Sequence, residues 1–323
     1  MGLQLQEHGV KSNKKGMRMM YTGRSKEWSG KRSLNGRCLI ITADDFGMCH
    51  SMNEAIMKLW DTGDITSAMI MMPGPWAKQA ADYAAHNREA NIGVHLTLTS
   101  SFPQYKWGPV TRDGRVQSLM TQEGYFWGTS AEVALQAAEE AVRTEVRNQI
   151  EAAIRMGIDP THLDSHEGSL LGLAGGRDFL ELAFDLCEEY RLPFKLPRNI
   201  VNQSFLSPQM RELFQKRIHS ADRRGIPLID DLIILPYEQE QGEGYPDVRR
   251  QLSQAIQEMK AGITELVVHP SRDTAEMRTL TPSSAKREME YNFYMDKEFR
   301  QLLVDEEIRL ISWKDVREQM RLG

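Results

Sequence analysis

From residue 38 onward, short continuous apolar runs alternate with longer stretches in which apolar positions recur every three or four residues. Leu39 to Ala43, Ala68 to Met72, Ile92 to Leu98 and Leu266 to Val268 have no helical spacing. They read as strands buried on both faces, the pattern of a parallel sheet. Ile56, Leu59 and Trp60 fall on one side of a helix that Ser51-Met52-Asn53-Glu54 opens with capping-box spacing and Gly63 closes. Trp76 to His86 predicts a short Ala-rich helix. Val133, Ala137, Ala141, Val142, Val146, Ile150 and Ile154 predict one long helix over 131–156, ended by Gly157. Further strands are expected near His162, at Phe194 to Leu196, at Leu228 to Leu235, at Glu265 to His269 and at Arg309 to Ser312, with helices near 177–190, 246–261 and 283–304. Eight strands with crossover helices predict an α/β fold, an irregular TIM-like (β/α) barrel.

The pattern carries chemistry at its strand ends. The first strand runs into Asp44-Asp45, the third into His95, the fourth lies in His162-Leu163-Asp164-Ser165-His166, and a later one ends at His269-Pro270. In parallel barrels, reactive groups gather where strands give way to loops. Adjacent carboxylates on a regular strand point to opposite faces, so both reach one site only if the backbone turns. One can then bind a cation while the other takes a proton from water; the alternative is a pair of acids capping the next helix. His162, Asp164 and His166 share parity and project to one side of an extended strand. Four residues of strand span about 13 Å, so one metal does not hold both histidines unless the strand has turned. His166, nearer the strand's end, is the expected ligand, with His162 and Asp164 as outer groups orienting the ligands. His95 reads as a ligand or a hydrogen-bonded core histidine, and His269 as a proton donor or an ordinary buried histidine.

Residues 100–128 hold Trp107, Tyr125, Phe126 and Trp127 among several glycines. This long aromatic loop reads as a substrate wall, a dimer contact or a loop packed by its own rings.

Size and charge narrow the rest. A chain of 323 residues with a formal charge of −5 accommodates one barrel domain over 37–323. The basic residues Lys11, Lys14, Lys15, Arg18, Arg24, Lys26, Lys31 and Arg32 mark 1–36 as an N-terminal extension without apolar periodicity, expected to be disordered. No stretch resembles a signal peptide or the ~20 apolar residues of a membrane span, so neither a membrane nor a nucleic-acid partner is expected. Cys38, Cys49 and Cys187 are widely spaced, which suggests neither a disulfide framework nor a thiolate zinc site and makes the cytoplasm the expected compartment.

Taken together, Thr42-Ala43-Asp44-Asp45-Phe46-Gly47, Gly93-Val94-His95-Leu96-Thr97-Leu98-Thr99, Pro160-Thr161-His162-Leu163-Asp164-Ser165-His166 and Val268-His269-Pro270 resemble, in order and spacing, the motifs of the YdjC-like (ChbG-type) carbohydrate deacetylases. The resemblance spans roughly residues 38–315. It implies a distorted barrel related to polysaccharide deacetylases and removal of acetyl groups from N-acetylated sugars, typically short chito-oligosaccharides. Carried over, Asp44 resembles the general base, Asp45, His95 and His166 the ligands of one divalent metal ion, and His269 the proton donor. The family points to Mg²⁺, while two imidazoles and a carboxylate also suit Zn²⁺, Fe²⁺, Co²⁺ or Mn²⁺. Glu167-Gly168-Ser169 stands where many relatives continue with further histidines. Rival readings are another metal-dependent amidohydrolase or phosphoesterase on the same barrel, and a non-catalytic sugar-binding protein.

Overall fold

The computed structural model describes residues 36–87, 89–174 and 177–322. The expected N-terminal extension lies outside the described residues, apart from Gly36. In chain order the elements are β1 (Arg37–Phe46), α1 (His50–Thr62), β2 (Ser67–Ile70), α2 (Ala77–His86), β3 (Ile92–Leu96), α3 (Ser130–Gln136), α4 (Glu139–Arg155) and β4 (Leu163–Ser165). They continue with α5 (Leu180–Tyr190), α6 (Pro208–Arg223), β5 (Asp231–Ile234), α7 (Tyr245–Gln257), β6 (Gly262–Val268), α8 (Ala275–Leu280), α9 (Ser284–Met295), α10 (Lys297–Asp305), β7 (Arg309–Leu310) and α11 (Trp313–Leu322).

All the strand pairings are parallel, in the order β4-β3-β2-β1-β6-β5, with β7 beside the start of β1. The result is a curled half-barrel with helices outside it. Where a strand was expected at Phe194 to Leu196 there are only single bridges, Leu163 to Phe194 and Pro197 to Ile229. The physical reason is the proline at each end of that segment, Pro193 and Pro197, which cannot donate to a ladder. The segment still spans the open side: Leu163 donates to the Pro193 carbonyl, Lys195 to Leu163, and Phe194 to Pro227.

Side-chain alternation along β1 separates two cores. Leu39, Ile41 and Ala43 pack outward into the large cluster under the helices, whereas Cys38 and Ile40 join Ile229, Ile311, Trp313 and Val316 inside the curl. Thr42 and Asp44 continue the inner face toward the strand's carboxyl end. Each large side chain so buried contributes roughly 1.5–3 kcal/mol, which is why short strands suffice here.

Three helix expectations change, and the first is the single helix expected near 283–304, which parts into α9 and α10 at Asp296, whose Oδ1 accepts the Glu298 N–H at 3.0 Å. The helix predicted over 131–156 breaks at Ala137-Ala138, where the Ala138 N–H donates to Ser118 Oγ and Arg177 donates to the Ala137 carbonyl. Tertiary partners there replace helical hydrogen bonds. Ser51 does not cap α1; the N-cap position is Cys49, and Glu276 from α8 accepts the His50 and Ser51 N–H groups at 3.3 and 2.8 Å. A carboxylate from a distant element thus meets the positive end of that helix. Gly63 closes it as expected, at φ 74°. Among the described residues no helix is long and apolar enough to cross a membrane.

Candidate metal centre

The two adjacent acids reach one site because β1 is irregular where they sit. The β1–β2 register shifts between Ala43 and Phe46, and Asp45 adopts φ 65°. A left-handed aspartate costs of order 1 kcal/mol, and the tightly packed turn after it holds it there. Gly47, at φ 99°, donates its N–H to Asn53 Oδ1, and a Cβ there would come within 3.0 Å of the Ala77 Cα. Glycine is what lets the turn pack so closely.

Asp45 Oδ1 lies 3.5 Å from His95 Nε2 and 3.2 Å from His166 Nδ1, and all three side chains are buried. These separations fit ligands standing about 2.1 Å from a shared centre. Asp45 Oδ1 and His166 Nε2 find no hydrogen-bond partner. The other nitrogen of His95, Nδ1, lies 3.2 Å from Asp164 Oδ2, an ion-pair separation rather than an aligned hydrogen bond. A carboxylate behind an imidazole in this way sets its tautomer and aim at a metal. The donor set therefore fits a divalent cation held by Asp45, His95 and His166.

Electrostatics agree. Burial opposes charge on His95, but Asp44, Asp164 and Asp45 outweigh it and push its pKa up to about 10. Burial likewise opposes ionisation of Asp45, and His166 and His95 overcome it, holding that carboxyl well below its ordinary range. A pocket in which acids outnumber cations stabilises positive charge. Asp44, His95 and Asp164 form a second group with donor atoms close together. There Lys195 already bridges Asp44 Oδ2, at 2.9 Å, and Asp164 Oδ2, so an ammonium fills the place of an ion.

His162 sits deeper. Its ring stacks on Trp313, with centroids 4.6 Å apart and planes 10° from parallel, and its Nδ1 is 2.9 Å from Thr161 Oγ1. It faces Gly93, two residues below His95 on β3, where an added Cβ would fall 2.5 Å from the imidazole. Burial and then Lys195 depress its pKa far below that of an ordinary histidine. His166 instead comes just after the end of β4, in a turn that continues through Glu167 at φ 49°. The extended strand the spacing assumed ends at Ser165.

His269 comes directly after Val268, whose register partner is Ala43, so it emerges beside Asp44. Its backbone N–H donates to Glu290 Oε2 at 3.0 Å and its ring meets Tyr237 edge-on at 5.6 Å. Burial lowers its pKa, Asp45 raises it and Arg287 lowers it again. In the aromatic loop Trp107 is buried, donates Nε1 to the Thr99 carbonyl and lies 6.3 Å from the His166 ring, while Tyr125 remains exposed. That loop is packed by its own rings and also walls the centre.

Comparison with known proteins matches the family model described as YdjC-like protein to residues 38–305. The chain belongs to the YdjC-like family. Among curated relatives, this YdjC-like chain is 29% identical over 284 residues to a carbohydrate deacetylase of Thermus thermophilus, covering 88% of this chain and 95% of that one. It is 25% identical over 275 residues to a carbohydrate deacetylase of Thermoanaerobacter pseudethanolicus, covering 85% and 97%. A solved structure from Enterococcus faecalis, a protein given a proposed role in cellobiose-phosphate cleavage, shares this fold with TM-score 0.68 at 24% identity, over 87% of this chain and 99% of that one.

Lys195 is the site residue that strand-end reasoning missed. Its signal was a lysine between Phe194 and Leu196 in a segment otherwise apolar, where a charge turned inward needs an acid to meet it.

Proposed function

We propose that this YdjC-like protein is a metal-dependent carbohydrate N-deacetylase acting on N-acetylated sugars or short oligosaccharides. The observation that carries the reading is the convergence of Asp45, His95 and His166 on one pocket with a further carboxylate, Asp44, beside it. The curated relatives' deacetylase name, over most of both chains, supports the substrate class.

Asp45, His95 and His166 would hold a divalent cation, which when bound would lower the pKa of a water and polarise an acyl carbonyl. Asp44 stands 3.8 Å from His95 through Oδ2 and leaves Oδ1 without a partner. That free oxygen accepts the proton of the attacking water, making Asp44 the general base. His269 delivers a proton to the departing sugar nitrogen, which leaves poorly as an anion. Burial and Arg287 strengthen its imidazolium as an acid. Asp164 keeps the His95 tautomer correct, and Trp107 excludes water from one side of the centre.

The test is acetate release from N-acetylglucosamine, diacetylchitobiose and triacetylchitotriose by metal-loaded protein, with Asp44→Asn alongside. Release by the wild type and its loss in the variant support the proposal. Metal-loaded wild type releasing no acetate from any of the three overturns it and turns attention to other acyl or phosphoryl esters.

A further inference from the structure

We infer that Lys195 is the positioning residue for Asp44, a role that rests on the deacetylase reading because it acts on that reading's base. Lys195 is 8% exposed, in the segment that bridges the open side of the half-barrel. Its backbone N–H is committed to the Leu163 carbonyl at 2.9 Å, and prolines at 193 and 197 restrict the chain on both sides. The ammonium therefore enters the barrel from a fixed point.

Its effect depends on which oxygens it takes. Nζ donates to Asp44 Oδ2 at 2.9 Å and pairs with Asp164 Oδ2. Asp164 Oδ1 accepts the Ser165 N–H at 2.6 Å, and its Oδ2 also faces His95 Nδ1. Every oxygen of the two carboxylates is thus engaged except Asp44 Oδ1. Lys195 selects the lone pairs left for a water, and it ties the base to the acid that orients a ligand. One ammonium sets the spacing between the proton acceptor and the cation pocket. Without it, Asp44 and Asp164 would repel across the barrel, with nothing to hold Asp44 toward the pocket.

A crystal structure of Lys195→Met reads the inference without activity: the Asp44 carboxylate is expected to rotate from its present position, and an unmoved carboxylate overturns it. Kinetics then form a cycle with Asp44→Asn. Lys195→Met is expected to lower kcat about 30-fold with KM within roughly threefold, and to cost less than about threefold more once Asp44 is already Asn. Losses that multiply mean a general structural role and overturn the inference, as does an unchanged kcat. If Lys195→Met does not fold by calorimetric melting, the neutral Lys195→Gln takes its place in both experiments with the same criteria. Wild type that binds metal yet releases no acetate defeats the deacetylase reading instead, and the two failures are told apart by the Asp44 position.

Discussion

Asp164 Oδ2 lies 3.2 Å from His95 Nδ1, on the side of the imidazole opposite the atom that faces Asp45. On the proposed reading this carboxylate orients a metal ligand although it does not enter the pocket itself. Asp164→Asn is expected to weaken divalent metal binding about 10–100-fold, the usual effect of losing an orienting partner. Titration calorimetry with Mn²⁺ or Zn²⁺ measures this, and unchanged affinity would sink the assignment.

The two histidines of the fourth motif should separate cleanly. His166→Ala is expected to weaken metal binding by more than roughly 100-fold, beyond an outer-shell effect. His162→Ala should change that affinity little and lower stability by about 2–4 kcal/mol, because it empties the space against Trp313. Metal titration and thermal melts of both variants decide it; loss of metal in His162→Ala alone reverses the ligand assignment.

Gly93 gives a second check on His162. A methyl group there overlaps the rigid imidazole and the more yielding Met69 Sδ, each 2.5 Å away, so Gly93→Ala is expected to cost about 1–3 kcal/mol as overpacking. In the Gly93→Ala, His162→Ala double variant the methyl enters the vacated space, and the combined loss should be smaller than the sum of the two single losses. Additive melting shifts would mean the two residues do not share that space.

Glu265 makes stability depend on pH. Burial raises its pKa to about 7, Lys195 lowers it and Asp44 raises it, while Oε1 accepts the Trp313 Nε1–H at 2.9 Å. The unfolded chain ionises this group from its ordinary value of 4.5, so between there and about 7 the folded state binds more protons. Stability contributed by the neutral acid is present at low pH and lost as pH rises through that window, by on the order of 3 kcal/mol. Glu265→Gln should therefore raise the melting temperature more at about pH 8 than at about pH 5, by removing this linkage. An equal shift at both would show that Glu265 does not titrate there.

Much of this architecture is local information. Leu39 to Ala43 and Leu266 to Val268 read as buried strands, because short β-branched and aliphatic runs without helical period have no solvated face and are too short for a buried helix. Asp44, Asp45, His95, His166 and His269 were visible because each interrupts or ends such a run, and polar groups there need partners. What only the tertiary structure decided lies where distant segments compete for the same groups. The half-turn at Asp45 depends on Gly47 packing against Ala77, and which of His162 and His166 lies beside Asp45 depends on where β4 stops and on Trp313 filling the barrel below. Ser118 and Arg177 break the helix at Ala137-Ala138, whose own residues favour continuing it. Glu276 takes over the cap that Ser51 and Glu54 spelled, and Lys195 finds Asp44 across 151 residues of chain. Propensity and period report what one segment prefers; contacts between residues far apart in the chain are settled only when the sheet curls and its inner faces meet.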